Sequence, residues 1–186
     1  EVTIIIIVTS IPTALIGLVF NDFFERMFTS IHIIGYTLLL TGVLLWLSSK
    51  ISMGTKKAKD IKATDAITIG LFQGIAIMPG ISRSGSTIFA AMLMGFNPQL
   101  ATKFSFLVSI PVILGAALLE ARKVLIAGEG FMDILPVIIG FTVAAISGYL
   151  AIKLLVDLIN RKKLYFFSYY CWGAGIFIIL YSLIVH

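Results

Sequence analysis

The chain has 186 residues, 59% of them hydrophobic and 12% charged, against about 25% charged in soluble domains. That balance excludes a water-soluble globular domain, and the spread of apolar residues over several stretches excludes a single anchor or a cleavable signal. The formal charge of +5 comes from Lys and Arg in short loops between those stretches, which reads as membrane topology and headgroup contact rather than a nucleic-acid footprint.

Five stretches approach the roughly 20 apolar residues that a spanning helix needs: 2–20, 31–47, 104–119, 134–156 and 164–185. Pro12, Pro111 and Pro136 fall inside or at the starts of these and are expected to bend them. His32 opens the second stretch, where packing is a commoner role than general-base work. Lys50, Lys56, Lys57, Lys59 and Lys62 then form a loop read as solvated and cytoplasmic. Region 66–96 differs, because two short apolar pieces, 66–78 and 88–96, flank a polar, glycine-containing loop. Neither piece is long enough to cross alone, which leaves a re-entrant hairpin or one broken spanning helix.

Charge placement chooses between them. A hairpin leaves Arg26, Arg122 and Lys123 on one side and ten Lys or Arg on the other, whereas a crossing splits them seven to six. Cytoplasmic loops collect Lys and Arg, so the hairpin is preferred. Toward the end, Arg161, Lys162 and Lys163 read as a topology signal, and Tyr165, Tyr169, Tyr170 and Trp172 as an aromatic belt. His186 is terminal, and the lone Cys171 has no partner for an intrachain disulfide.

The predicted fold is all-α: a polytopic membrane helical bundle of five spanning helices and one re-entrant helical hairpin, part of an inverted-repeat architecture. Residues 1–186 form one membrane domain, with 1–64 as the last two spanners of an incomplete first repeat plus a cytoplasmic loop, and 65–186 as a second repeat. Glu1 is not an initiator methionine, and equal repeats would place roughly 60 further residues before it. The chain is therefore expected to be an N-terminally truncated piece.

The loop Met78-Pro79-Gly80-Ile81-Ser82-Arg83-Ser84-Gly85-Ser86-Thr87 concentrates hydroxyls, glycines and a guanidinium at membrane depth. A charge there costs from a few to more than ten kcal/mol unless it meets a polar cavity or an anion. Arg83 offers a planar fork matching two phosphate oxygens, and Ser82, Ser84, Ser86 and Thr87 offer further hydrogen bonds. Gly80 and Gly85 permit close backbone approach, and a half-helix starting near Gly85 would aim its positive end at the same anion. The structural alternatives are Ser84 as a helix cap, Ser86 and Thr87 bonded to their own backbone, and Arg83 paired with Asp65, Glu120 or another buried carboxylate. Gln73 either reaches the cavity or bonds across helices, and Gly70 and Gly74 have the spacing of close helix packing. There is no Walker A loop and no His, Cys or carboxylate cluster with metal-ligand spacing.

At this loop the sequence resembles the undecaprenyl-diphosphate phosphatase family, the bacitracin-resistance protein type. Pro79-Gly80-x-Ser82-Arg83-Ser84-x-x-Thr87 matches that family's second signature. The likeness extends through Gly70-x-x-Gln73, Met92-Leu93-Met94-Gly95, Phe104-Ser105-Phe106-Leu107, Pro111 and Gly115.

The resemblance implies removal of the terminal phosphate from undecaprenyl diphosphate, which regenerates the monophosphate carrier of cell-wall synthesis in the plasma membrane. By that likeness Arg83, Ser82, Ser84 and Thr87 are the catalytic candidates, with Gly80, Gly85, Ser86 and Gln73 as substrate-binding candidates. It also implies a divalent cation, Mg2+ or Ca2+, whose ligands have no match in this chain. The family's first signature, with its paired glutamates, Ser-Ser-Thr run and histidine, has no match either. The 186 residues are accordingly expected to bind diphosphate without hydrolysing it. Expected partners are the bilayer, a polyprenyl diphosphate lipid and a second copy of the chain, with no nucleic acid. The competing functions are a lipid-phosphate transporter or flippase and a non-catalytic membrane subunit.

Overall fold

The structure, a computed structural model, describes residues 2–52, 54–127, 134–160 and 165–185. Glu1, Arg161, Lys162, Lys163 and His186, together with the first residue of the 164–185 stretch, lie outside the described residues. The described residues are helical: α1 (Val2–Val19), α2 (Asn21–Phe28), α3 (Ile31–Ser48), α4 (Ala63–Ile75), α5 (Arg83–Leu93), α6 (Pro98–Ala127), α7 (Ile134–Asn160) and α8 (Phe166–Val185). Four of them, α3, α6, α7 and α8, are long and apolar enough to cross a membrane unaided. The expected first spanner reaches that standard only together with α2, from which it bends by 72°.

That second helix was not expected from the sequence. Asp22, Glu25 and Arg26 break its hydropathy, but they leave Phe24 and Met27 on the opposite face, and both are buried. A short amphipathic helix turned away from the axis of α1 reconciles those two faces.

The hairpin of α4 and α5 is the centre of the molecule, with α1 and α6 packed against it and α3 against α5. Gly70 and Gly74 of α4 let α1 come close: a Cβ on Gly70 would collide with the Thr9 carbonyl, and one on Gly74 would lie 2.5 Å from Ile16 Cδ1. Their small-residue spacing is thus a packing device. Ile69, Ile88, Ala90, Ala91, Phe96 and Phe104 form the core, with the Phe96 and Phe104 rings edge-on at 5.6 Å. On the far side α8 lies along α3, where the Trp172 indole N–H donates to the Leu39 carbonyl at 3.2 Å. His32 hydrogen-bonds Ser182 of α8, in keeping with the packing role. By contrast α7 touches little but α6, and Val137, Ile138, Ile139 and Phe141 on it are exposed. In a protein of this composition such a surface faces lipid.

Both ends of the hairpin are tied by specific chemistry. Helix α5 ends in a Schellman motif: the Phe96 N–H donates to Ala91 O and the Gly95 N–H to Met92 O, each at 3.0 Å, with Gly95 at φ +86°. Asn97 caps α6 by accepting from the Leu100 N–H at 2.8 Å, with Pro98 in the first helical position. At the start of α4, Asp65 accepts from the Lys62 N–H at 3.0 Å and from the Lys56 ammonium at 2.8 Å. Lys56 also donates its backbone N–H to Gly95 O at 3.1 Å, so one residue links the two ends of the hairpin. The expectation of a fully solvated lysine loop is therefore corrected at Lys56. The cause is the buried Asp65 carboxylate, which needs a cation beside it.

Candidate functional site

The turn between α4 and α5 is held by α3. Gly80 adopts φ +84°, open to glycine at little cost, and its neighbours leave no room for a side chain. A Cβ there would overlap Thr37 Oγ1 and lie 2.8 Å from Ile34 O. The Thr37 hydroxyl sits 2.6 Å from Pro79 O and 2.8 Å from Ile33 O, so its single proton is shared between the loop and its own helix. The Thr41 hydroxyl donates to Gly80 O at 2.9 Å and accepts from the Ser82 N–H at 3.1 Å. Thr37 and Thr41 stand four residues apart and so share one face of α3, the face that grips the loop. Sequence reasoning missed both. Their spacing within an otherwise apolar helix is the signal that was there to be found.

Helix α5 begins at Arg83, two residues before the expected start. Its cap is Ser82, whose hydroxyl accepts from the Gly85 N–H at 3.1 Å, so the expectation of Ser84 as cap is corrected. The backbone explains the exchange: Ser82 is extended at φ −69° and ψ 110°, as a capping residue must be, and Ser84 is already inside the helix. Arg83 is thereby set at the positive end of the helix dipole. It is partly buried, and its Nη1 is buried with no hydrogen-bond partner among the described residues. The two carboxylates expected to compete for it are engaged elsewhere, Asp65 with Lys56 at 2.8 Å and Glu120 with Lys123 at 3.4 Å.

The other candidates separate into two groups. Ser82, Ser84 and Gly85 line a cavity of about 220 Å³ whose remaining walls are Leu45 of α3, Ile88 of α5, Leu155 of α7, and Phe167, Tyr170 and Cys171 of α8. Thr87, Ser86 and Gln73 instead point into the protein. Thr87 is buried, and its hydroxyl meets Arg83 O at 3.0 Å, Ser84 O at 3.1 Å and Ser105 Oγ at 2.5 Å. Ser105, in α6, was also missed as a partner of the signature. Ser86 is buried. Gln73 faces α1, donating to Thr13 Oγ1 at 3.3 Å, while its Oε1 has no partner among the described residues. No group of three His, Cys, Asp or Glu among the described residues is arranged to hold a metal ion.

Four features lie at the start of α5: an Arg83 Nη1 with no hydrogen-bond partner among the described residues, a helix N-terminus, two serine hydroxyls, and an apolar cavity that Ser82 and Ser84 line and Arg83 does not. The first three recognise an oxyanion with several acceptor oxygens. The fourth suits a ligand that is apolar next to its charge.

Comparison with known proteins gives the same direction. The model of the family described as bacitracin resistance protein BacA matches residues 1–177. The undecaprenyl-diphosphatase of Alkaliphilus metalliredigens is 50% identical over 97% of this chain, which spans 66% of that relative's length. That of Halothermothrix orenii is 48% identical over 96% of the chain and 69% of its own length. For Methanothermobacter thermautotrophicus the identity is 45% over 96% of the chain and 99% of the relative. A relative of matching length thus stands beside longer ones, and the expectation of a C-terminal two-thirds piece is not supported. The chain belongs to the bacitracin resistance protein BacA family.

Proposed function

We propose that this protein hydrolyses the phosphoanhydride of undecaprenyl diphosphate, releasing the terminal phosphate and leaving the lipid monophosphate for reuse in cell-wall synthesis. The observation that carries this reading is Arg83 Nη1, buried without a partner at the N-terminus of α5. A desolvated guanidinium N–H is costly unless an anion meets it, and a terminal phosphate supplies the acceptor.

In the reaction, the oxygen of a water molecule attacks the terminal phosphorus and gives up a proton to the activating group, the bridging P–O bond breaks, and the electron pair leaves on the lipid phosphate. Charge grows on the transferring group's oxygens and on the leaving oxygen. Arg83 and the first N–H groups of α5 are assigned the stabilisation of that charge. The hydroxyls of Ser82 and Ser84 orient the headgroup, while Gly80 and Gly85 keep the backbone close to it. Thr87, Ser86 and Gln73 support that geometry from behind. None of residues 82–87 is a carboxylate or a histidine. Residues 82–87 are assigned headgroup binding and charge stabilisation, and the group that activates the attacking oxygen lies outside this loop.

The finer architecture belongs to the same proposal. The bent α1–α2 pair is the fifth span, and the α4–α5 hairpin is re-entrant. Residues 65–186 form one repeat of an inverted pair, with 1–64 belonging to the other. The protein resides in the plasma membrane with a second copy as its neighbour. Phosphate release from undecaprenyl diphosphate, by protein isolated in detergent from the membranes that produce it, tests the activity. Release without any transmembrane gradient, lost in Arg83→Ala, is the expected result. A lipid-phosphate transporter would release none, and undiminished release by the variant would end the proposed role of Arg83.

A further inference from the structure

Between α1 and α6 runs a groove of about 560 Å³, and none of residues 80–87 forms part of its walls. Along α6 its lining reaches from Pro111 to Arg122, a span of about 16 Å at 1.5 Å per residue. That is close to half of the roughly 30 Å hydrocarbon thickness of a bilayer. The volume equals about nineteen water-sized groups at about 30 Å³ each, which is room for one hydrocarbon chain of a membrane lipid. Small residues make the space, Ala14 from α1 and Gly115 and Ala116 from α6. A Cβ on Gly115 would meet nothing within 4 Å. Two hydroxyls also line the groove, but their protons are committed: Ser10 donates to Ile6 O and Thr13 to Gly70 O, each at 2.9 Å. The inner part of the groove thus offers no hydrogen bond donor to a polar ligand. Arg122 marks its other end, exposed and without an ion pair among the described residues, because neighbouring Glu120 is taken by Lys123 at 3.4 Å. Helix α6 starts just after Gly95, which is bonded to Lys56, so Arg122 lies on the side of the membrane away from the lysine loop.

We propose that this groove holds one chain of an anionic phospholipid whose phosphate pairs with Arg122, in the leaflet away from the lysine loop. A guanidinium at headgroup depth, opening onto a hydrocarbon slot one leaflet long, is complementary to a phosphate that carries a hydrocarbon chain. The chain gains little from burial, since it lies among apolar groups in or out of the groove. Selection therefore rests on the charge-assisted pair, and shape sets where the chain runs. Ile77 shares the groove and stands two residues before Pro79, which α3 grips through Thr37. A lodged chain supports the same turn from the side of α1 and α6. The proposal does not depend on what the N-terminus of α5 binds.

Phosphatidylglycerol with a photoreactive diazirine on one acyl chain is the probe, present in trace amount in phosphatidylcholine vesicles that carry the whole protein. Cross-links are expected to concentrate on the groove-lining parts of α1 and α6, at least about five-fold above those on α7, whose exposed apolar face reports ordinary lipid contact. Gly115→Leu puts a side chain into open space and is expected to lower groove labelling at least about ten-fold, with labelling of α7 unchanged. Unlabelled phosphatidylglycerol is expected to displace the probe at least about ten-fold better than phosphatidylcholine does. Arg122→Gln, which alters an exposed side chain and no packing, is expected to erase that preference. Equal labelling of the groove and α7, groove labelling that survives Gly115→Leu, or a preference that survives Arg122→Gln would each overturn the proposal. So would a photoreactive residue placed at Ala116 that cross-links to another copy of the chain instead of to lipid, since the groove would then be an interface between copies.

Discussion

Gly80 and Gly95 form a matched pair that separates backbone cost from steric cost. Both have positive φ, +84° and +86°, so an alanine at either position costs about 1–2 kcal/mol for the left-handed conformation, offset by about 0.4–1 kcal/mol from a stiffer unfolded chain. At Gly95 nothing is added, because the nearest atoms to a new Cβ are the Lys56 methylenes at 3.8 Å and beyond. At Gly80 the same methyl overlaps the Thr37 hydroxyl and lies 2.8 Å from the Ile34 carbonyl. Relief requires Thr37 to move and abandon Pro79 O, a buried acceptor whose loss costs about 1–3 kcal/mol. Gly95→Ala is therefore expected to destabilise by about 1 kcal/mol and Gly80→Ala by about 2–4 kcal/mol. Equilibrium unfolding of the detergent-solubilised variants, titrated with a denaturing detergent, reads the difference. Equal losses in the two variants would show that α3 does not clamp the loop, and the account of how Arg83 is positioned would fail with it.

Other substitutions test neighbouring steps. Thr41→Val leaves Gly80 O and the Ser82 N–H without their partner; unfolding free energy is expected to drop about 2–4 kcal/mol, and diphosphate affinity should fall with it. Asp65→Ala removes the acceptor for both Lys56 and the Lys62 N–H, and a loss of about 2 kcal/mol that persists in high salt is expected; a change below about 0.5 kcal/mol would mean that the latch is incidental. Gln73→Met deletes a buried oxygen without a partner among the described residues, along with the 3.3 Å bond to Thr13. Stability should then shift by less than about 1 kcal/mol, and a loss above about 2 kcal/mol would reveal a partner for that oxygen.

The turn at residues 78–87 between two short helices was legible because two apolar pieces, each too short to span, flank a polar, glycine-containing stretch. Its supports were not. Thr37 and Thr41 read as ordinary threonines in a spanning stretch, because what they hold lies some forty residues away. Lys56 counted as one more loop cation, since pairing with Asp65 across a turn leaves no periodic trace. The α2 helix escaped because a search for long apolar runs passes over eight residues carrying three charges. Small-residue spacing at Gly70 and Gly74 did identify a packed face, since close approach demands the absence of side chains whatever the partner. Among the signature residues, the sequence cannot tell a hydroxyl facing a cavity from one facing α6, and that difference separates Ser84 from Thr87.

The central claim is that Arg83 meets a diphosphate at the start of α5. Equilibrium binding of farnesyl diphosphate to the detergent-solubilised protein and to Arg83→Ala tests it without requiring turnover. A charge-assisted contact in a desolvated site is worth about 2–4 kcal/mol, so the variant is predicted to bind about 30-fold to several hundred-fold more weakly. Equal affinity of the two proteins, with the fold intact, would contradict it.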